Sequence, residues 1–240
     1  RVVTGPVLFA PAEARQRFDD WLSELPAAQA AAIRETTDAF PMARTVLDGV
    51  AEASPYLFDL MRADADRLVR LLRCDPDRHL AALVVRAVAD VPGAADQDEA
   101  MHWLRRLKGE AALMIALCDI GGIWPVMRIT EALTEVAVTV VQCALRFLLR
   151  QEAERGKIVP PDPERPEEGS GLVILAMGKM GAGELNYSSD VDLIVFFDLD
   201  APTLAPDIEP QPFFVRVTQG LARMLQQRTA DGYVFRVDLR

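Results

Sequence analysis

Cysteine, histidine, positive charge and long apolar runs are all scarce in this sequence, and each scarcity excludes something. Three cysteines, Cys74, Cys118 and Cys143, stand in 240 residues. Their odd number argues against a disulfide framework and their spacing matches no metal motif, so a reducing, cytoplasmic setting is expected. The two histidines, His79 and His102, do not adjoin the glycine-rich motif described below. His102, beside Trp103 in a helical stretch, reads as a helix-surface or packing residue. Lys plus Arg number 26 against 36 Asp plus Glu, a net charge of −10. So acidic a chain is poorly suited to displacing counterions from a phosphate backbone, and no nucleic-acid partner is expected. No uninterrupted apolar run of 18 residues occurs. The nearest approach, 111–127, is broken by Asp119 and by Gly121-Gly122, so no spanning helix and no membrane partner are expected. No secretory leader pattern opens the chain. It starts on Arg1 rather than Met and stops at Arg240 after a strand-like run, which reads as a piece of a longer protein.

What is present is ordinary globular material, half of it hydrophobic. Its length suits one large domain or two modest ones. Residues 1–155 read as a helical region, rich in Ala, Leu, Arg and Glu, with apolar residues such as Leu68, Leu71 and Leu72 at spacings of three and four. Ser54 before Pro55 is a helix-start pattern. Residues 156–170, rich in Pro, Glu and Gly, read as a linker or loop. Beyond them the period changes. Residues 172–177 and 191–197 are short strand-like runs, 212–228 has helical spacing, and 233–239 alternates like a third strand. The fold class expected is therefore α+β: a helical region followed by a small sheet-bearing unit over 171–240.

The chemistry concentrates between Met177 and Leu193. Gly178, Gly181 and Gly183 follow a strand, where glycines permit tight turns and close approach of a phosphate to backbone N–H groups. The segment is not a P-loop, because Gly178-Lys179 is followed by Met180 rather than Ser or Thr. Nor is it a dinucleotide fingerprint: the glycine spacing differs, and the interval before Val191 is too short for a crossover helix. What remains is a glycine-rich loop leading into Ser188-Ser-Asp-Val-Asp192 at the head of a strand. Asp190 and Asp192, two residues apart, would share a face. Neighbouring carboxylates repel unless a cation lies between them, and Mg²⁺ is the hard ion such a pair suits. Asp238, in the third strand run, is the best-placed third carboxylate. Loop and carboxylates together point to nucleotidyl transfer on a polymerase-β-like nucleotidyltransferase fold with a small mixed sheet. Asp198 and Asp200 read as caps at the strand exit.

The wording of residues 178–194, Gly-Lys-Met-Gly-Ala-Gly-Glu-Leu-Asn-Tyr-Ser-Ser-Asp-Val-Asp-Leu-Ile, closely resembles the signature of the bifunctional glutamine synthetase adenylyltransferase/adenylyl-removing enzymes. The resemblance continues in Ala230-Asp-Gly-Tyr-Val-Phe-Arg-Val-Asp-Leu-Arg240, similar to that family's third-carboxylate strand. Upstream it takes in Ser54-Pro-Tyr-Leu57 and the stretch from Leu104 to Gly122. Members carry two related catalytic halves, one removing AMP from a glutamine synthetase tyrosine by phosphorolysis to ADP, the other attaching AMP from ATP. Gly-Ala-Gly-Glu-Leu with Ser188-Ser189, Ser-Pro-Tyr-Leu, and Asp-Ile-Gly-Gly resemble the amino-terminal, adenylyl-removing half. Met180 replaces the family's commoner Leu, a volume-conserving change.

The resemblance implies that Asp190, Asp192 and Asp238 are catalytic and hold Mg²⁺, with Gly178, Lys179, Gly181, Ser188 and Ser189 lining the nucleotide and phosphate site. It leaves Glu184 and Asn186 between a structural and a substrate role. Glutamine synthetase is the implied protein substrate, phosphate and ADP or ATP the small ones, and the PII signalling protein a regulator. The transferase half, and a non-catalytic interaction fragment, remain the alternatives.

Overall fold

The computed structural model describes residues 2–239. Eight helices precede the sheet: α1 Pro11–Glu24, α2 Ala27–Ala39, α3 Pro41–Ala53, α4 Pro55–Ala63, α5 Ala65–Arg73, α6 Pro76–Asp90, α7 Gln97–Ile120 and α8 Val126–Glu154. Then come β1 Leu172–Ala176, the single turn α9 Gly178–Gly181, β2 Val191–Phe197, α10 Pro210–Gln226 and β3 Val237–Leu239. The molecule is thus α+β, helix-rich with a small mixed sheet.

Local chemistry explains most helix starts. Prolines open α1, α3, α4, α6 and α10, where the missing N–H costs nothing. Ser54 accepts from the Leu57 amide at 3.3 Å and Asp64 from the Arg67 amide at 2.8 Å, capping α4 and α5. Asp96 accepts from the Glu99 amide while Glu99 reaches back to the Ala95 amide, close to a capping box at the start of α7. The far end of α7 closes in a Schellman turn, with Ile123 N–H donating to Cys118 O and Gly122 N–H to Asp119 O. Residues 2–9, expected to be helical, are not. Their amides bond outward instead: Val3 and Thr4 donate to the Gly121 carbonyl, and Phe9 to Glu52.

The chain forms two compact units, Arg1–Ala81 with Gly109–Ile129, and Ala82–Lys108 with Thr130–Arg240. The first is helical, its core built on Phe18, Trp21, Leu47, Phe58 and Met61. The second holds the sheet. The change of secondary structure near residue 155 is therefore not a boundary between compact units. The reason is apolar packing: Leu145 and Leu149 of α8 share one cluster with Leu172 of β1 and Phe213, Phe214 and Val217 of α10. Residues 156–170 are irregular, as expected, yet they are pinned rather than free. Ile158 and Ser170 are buried, and Arg146 of α8 grips Glu167 through both Nε and Nη2. Of the described helices, α8 alone is long and apolar enough to cross a membrane by length and composition. Its charges sit towards its two ends, and 61% of its most apolar stretch is buried within the protein, the habit of a core helix.

The sheet order is β1-β2-β3. β1 and β2 are antiparallel, pairing Leu172 with Phe197 through to Ala176 with Leu193. β2 and β3 are parallel, pairing Val191 with Val237, Asp192 with Asp238 and Leu193 with Leu239. Leu172, Ile174, Val195 and Phe197 join the apolar cluster, so one face of the sheet is packed. Alternation puts Val173, Leu175, Phe196, Ile194 and Asp192 on the other face, where the first three are exposed.

Candidate active site

Because β1 and β2 are antiparallel, no crossover helix is needed between them, and the glycine-rich segment can be short. It is a helical turn rather than a loop: Gly181 N–H donates to Met177 O and Ala182 N–H to Gly178 O. Two anchors fix it. Met180 and Leu185 are buried, and the Leu185 amide donates to Thr134 Oγ1 of α8 at 3.1 Å. The Met177 amide donates to the Asp192 carbonyl at 2.8 Å, tying the turn to β2.

Two of the glycines are sterically required, for different reasons. A Cβ on Gly181 would lie 2.4 Å from the backbone oxygen of Ala176, which cannot move without displacing β1. Gly178 adopts φ +55°, and a Cβ there would lie 2.8 Å from Asp192 Oδ2, the end of a side chain. Gly181→Ala is therefore expected to lower the urea midpoint of unfolding clearly. Gly178→Ala should cost only about 1 kcal/mol while pushing the Asp192 carboxylate aside. Denaturation curves of the two variants check the contrast.

The three expected carboxylates fall into two groups. Asp192 and Asp238 are register partners in the parallel β2–β3 pair, side by side on the exposed face at the strand spacing of about 4.8 Å. Gly178 adjoins Asp192. Asp190 precedes β2 and does not complete a triad: its Oδ1 accepts from Arg236 Nε at 2.5 Å. Among the described residues no three His, Cys, Asp or Glu side chains are gathered as a metal-binding group. Arg236 also donates through Nη2 to the Ser188 carbonyl at 3.1 Å. Ser188 is the one non-glycine residue with positive φ among those described. The Asp190 carboxylate raises the Arg236 guanidinium above its ordinary value, through the hydrogen bond first and charge second.

The remaining expected residues have mixed placements. Lys179 is exposed on α9 immediately after Gly178. The Gly181 amide donates within the turn, to Met177 O at 3.0 Å. Ser189 donates its amide to Asn186 O at 3.3 Å, and the Glu184 and Asn186 side chains are exposed. Asp198 does cap the strand exit, accepting from the Asp200 amide at 2.9 Å. His102 lies exposed on α7, the helix-surface placement expected of it, and pairs with Asp231 at 2.8 Å.

Sequence reasoning passed over Arg236, although it lies two residues before Asp238 and the alternation rule would have found it. It also passed over Arg105, for which no local signal exists. This arginine is 3% exposed and faces carbonyls rather than a carboxylate: Met101 O, Met224 O at 3.2 Å, Gly232 O at 2.9 Å, and Gln227 O. Burial lowers its pKa from the ordinary value, against the opposing pull of Asp231. It ties α7 to the end of α10 and to the turn that leads into β3.

These features define an α+β protein whose exposed sheet face carries a cross-strand aspartate pair beside a glycine-rich turn. Comparison with known proteins gives it a family. The sequence profile of glutamate-ammonia ligase adenylyltransferase matches residues 44–240. A Rhodopseudomonas palustris (strain BisB5) protein named bifunctional glutamine synthetase adenylyltransferase/adenylyl-removing enzyme is 66% identical over all 240 residues, which cover 24% of its own length. A Bradyrhizobium diazoefficiens protein of the same name is also 66% identical with the same coverage. One from Xanthobacter autotrophicus is 47% identical over 236 residues, 98% of this chain and 24% of its own. The chain belongs to the glutamate-ammonia ligase adenylyltransferase family. It spans about a quarter of the length of the curated relatives it matches.

Proposed function

We propose that this chain carries an adenylyl-removing site: it cleaves AMP from a modified tyrosine of glutamine synthetase by phosphorolysis, giving ADP, on a nucleotidyltransferase core of the polymerase-β-like type. The observation that carries the reading is the Asp192–Asp238 pair in register on an open sheet face, with Gly178 directly against Asp192. The relatives' names supply the substrate and both directions of the reaction. The Gly-Ala-Gly-Glu-Leu and Ser188-Ser189 wording favours removal over attachment.

The donor set suits Mg²⁺. Asp192 and Asp238 offer hard oxygen ligands with like charges at one strand spacing, an arrangement that a divalent ion relieves. Asp190 would join them on leaving Arg236. When bound, the ion supplies charge neutralisation at the phosphorus centre. The chain's own residues orient the reactants. The turn that begins at Gly178 brings backbone close to the carboxylates without a side chain in the way, and Lys179 adds positive charge there. A phosphate oxygen attacks the AMP phosphorus, the phosphorus–tyrosyl oxygen bond breaks, and the tyrosinate takes up a proton. Phosphate near neutral pH is already anionic, so no dedicated base is required.

The test offers the protein both substrates with Mg²⁺: adenylylated glutamine synthetase with phosphate, and the unmodified form with ATP. ADP from the first and no AMP incorporation in the second is the expected result. Incorporation alone assigns the chain to the transferase direction. Neither product leaves it as an interaction module.

A further inference from the structure

We infer that Arg236 is an exchangeable counter-cation: it holds Asp190 until a divalent ion claims that carboxylate, and it then binds an anionic phosphate oxygen of the substrate. The inference rests on the metal reading above and assigns a substrate-binding role to a residue outside the expected site.

The argument begins with register. Parallel pairing sets Val191 opposite Val237 and Asp192 opposite Asp238, so Asp190 and Arg236 are the next neighbours along the same face. The contact is made, Nε to Oδ1 at 2.5 Å, and Nη2 braces the guanidinium on the Ser188 carbonyl at 3.1 Å. Asp190 is thus engaged by Arg236, and no three-carboxylate group is gathered among the described residues. An ion that draws on Asp190 competes with Arg236 for this carboxylate. That exchange is easy, because both partners are exposed, with 61% and 49% of their side-chain surfaces open. Exposed ion pairs are weak and screened by salt.

A divalent ion held by Asp192 and Asp238 would be bound by residues whose backbones lie about 7 Å, two residues of rise, along the strands from Asp190 and Arg236. At that distance it repels Arg236 and attracts Asp190, so both halves of the exchange run the same way. The released guanidinium keeps its planar fork of donors, the geometry that matches phosphate oxygens bidentately. One residue would thereby link metal arrival to anion binding.

The test measures Mn²⁺ binding by calorimetry at low ionic strength, then ADP binding at saturating Mn²⁺, on the 240-residue chain. The variants are Arg236→Gln, Arg236→Lys and Asp192→Asn, each first matched to the unaltered chain by circular dichroism and melting. Arg236→Gln is expected to bind Mn²⁺ about threefold more tightly, with the difference shrinking at high salt. Its ADP affinity should fall by about tenfold, with Arg236→Lys recovering part of that loss. Unchanged or weakened Mn²⁺ binding in Arg236→Gln overturns the exchange, as does unchanged ADP binding. Asp192→Asn separates the two levels. If it abolishes Mn²⁺ binding while Arg236→Gln changes nothing, the metal site stands and the exchange falls. If it binds Mn²⁺ as the unaltered chain does, the metal reading falls and the exchange with it.

Discussion

Asp192→Asn and Asp238→Asn should each lower the rate of AMP removal by about a thousandfold, roughly 4 kcal/mol of barrier. The two carboxylates are register partners on an open face, so neither can be replaced by the other. Asn keeps the size of the side chain and one oxygen but loses the charge that would hold a cation. Asp190→Asn should cost less, because Asp190 lies outside the strand pair and is engaged by Arg236. A ranking with Asp190 as the most damaging position would mean that the centre of the site is misassigned. Circular dichroism on each variant separates lost chemistry from lost fold.

Arg105→Met should destabilise the protein by about 3 kcal/mol, read as a fall in the urea midpoint. Met retains much of the volume and removes every donor. Arg105 is almost wholly buried and serves the carbonyls of Met224, Gln227 and Gly232. Met224 O and Gln227 O, at the end of α10, lie past its last helical pairing and are left poorly satisfied, whereas Gly232 O keeps the Thr229 amide. Arg105→Lys should recover only part of the loss, since an ammonium is a point donor that cannot span three separated carbonyls. His102→Ala, which removes the neighbouring pair with Asp231, should cost far less, because both groups are nearly half exposed. An unchanged midpoint for Arg105→Met would show that the β3 turn is held by something else.

These two predictions differ in how far the sequence alone leads to them. β2 spans Val191–Phe197, the run its apolar, β-branched pattern marks out, and β1 ends one residue early. Alternation also places Asp192 and Asp238 on an open face once the strands are paired. Local pattern fails where distant residues take the backbone. The run 233–239 alternates like a strand throughout, but only Val237–Leu239 is one. The amides of Val234 and Phe235 both donate to Leu225 O, and Gly232 O goes to Arg105, so the first half of the run is tied to helices. The glycine-rich stretch reads as a loop because Gly178, Gly181 and Gly183 are poor helix formers. Met180 and Leu185 are buried and Thr134 holds the Leu185 amide, which pins the segment that contains this one turn. Arg105 and Thr134 lie 127 and 51 residues from the groups they hold, beyond any periodicity. For Asp190 the i, i+2 spacing to Asp192 is legible in the sequence, whereas its contact with Arg236, 46 residues away, is not.

The most direct test of the central claim follows the fate of phosphate. Adenylylated glutamine synthetase is incubated with the protein, Mg²⁺ and radiolabelled inorganic phosphate, and the nucleotide product is isolated. Attack of phosphate on the AMP phosphorus predicts labelled ADP with the label confined to the β-phosphate, and its near-complete loss in Asp192→Asn. Unlabelled AMP as the product, or labelled ADP formed equally well by Asp192→Asn, would contradict it.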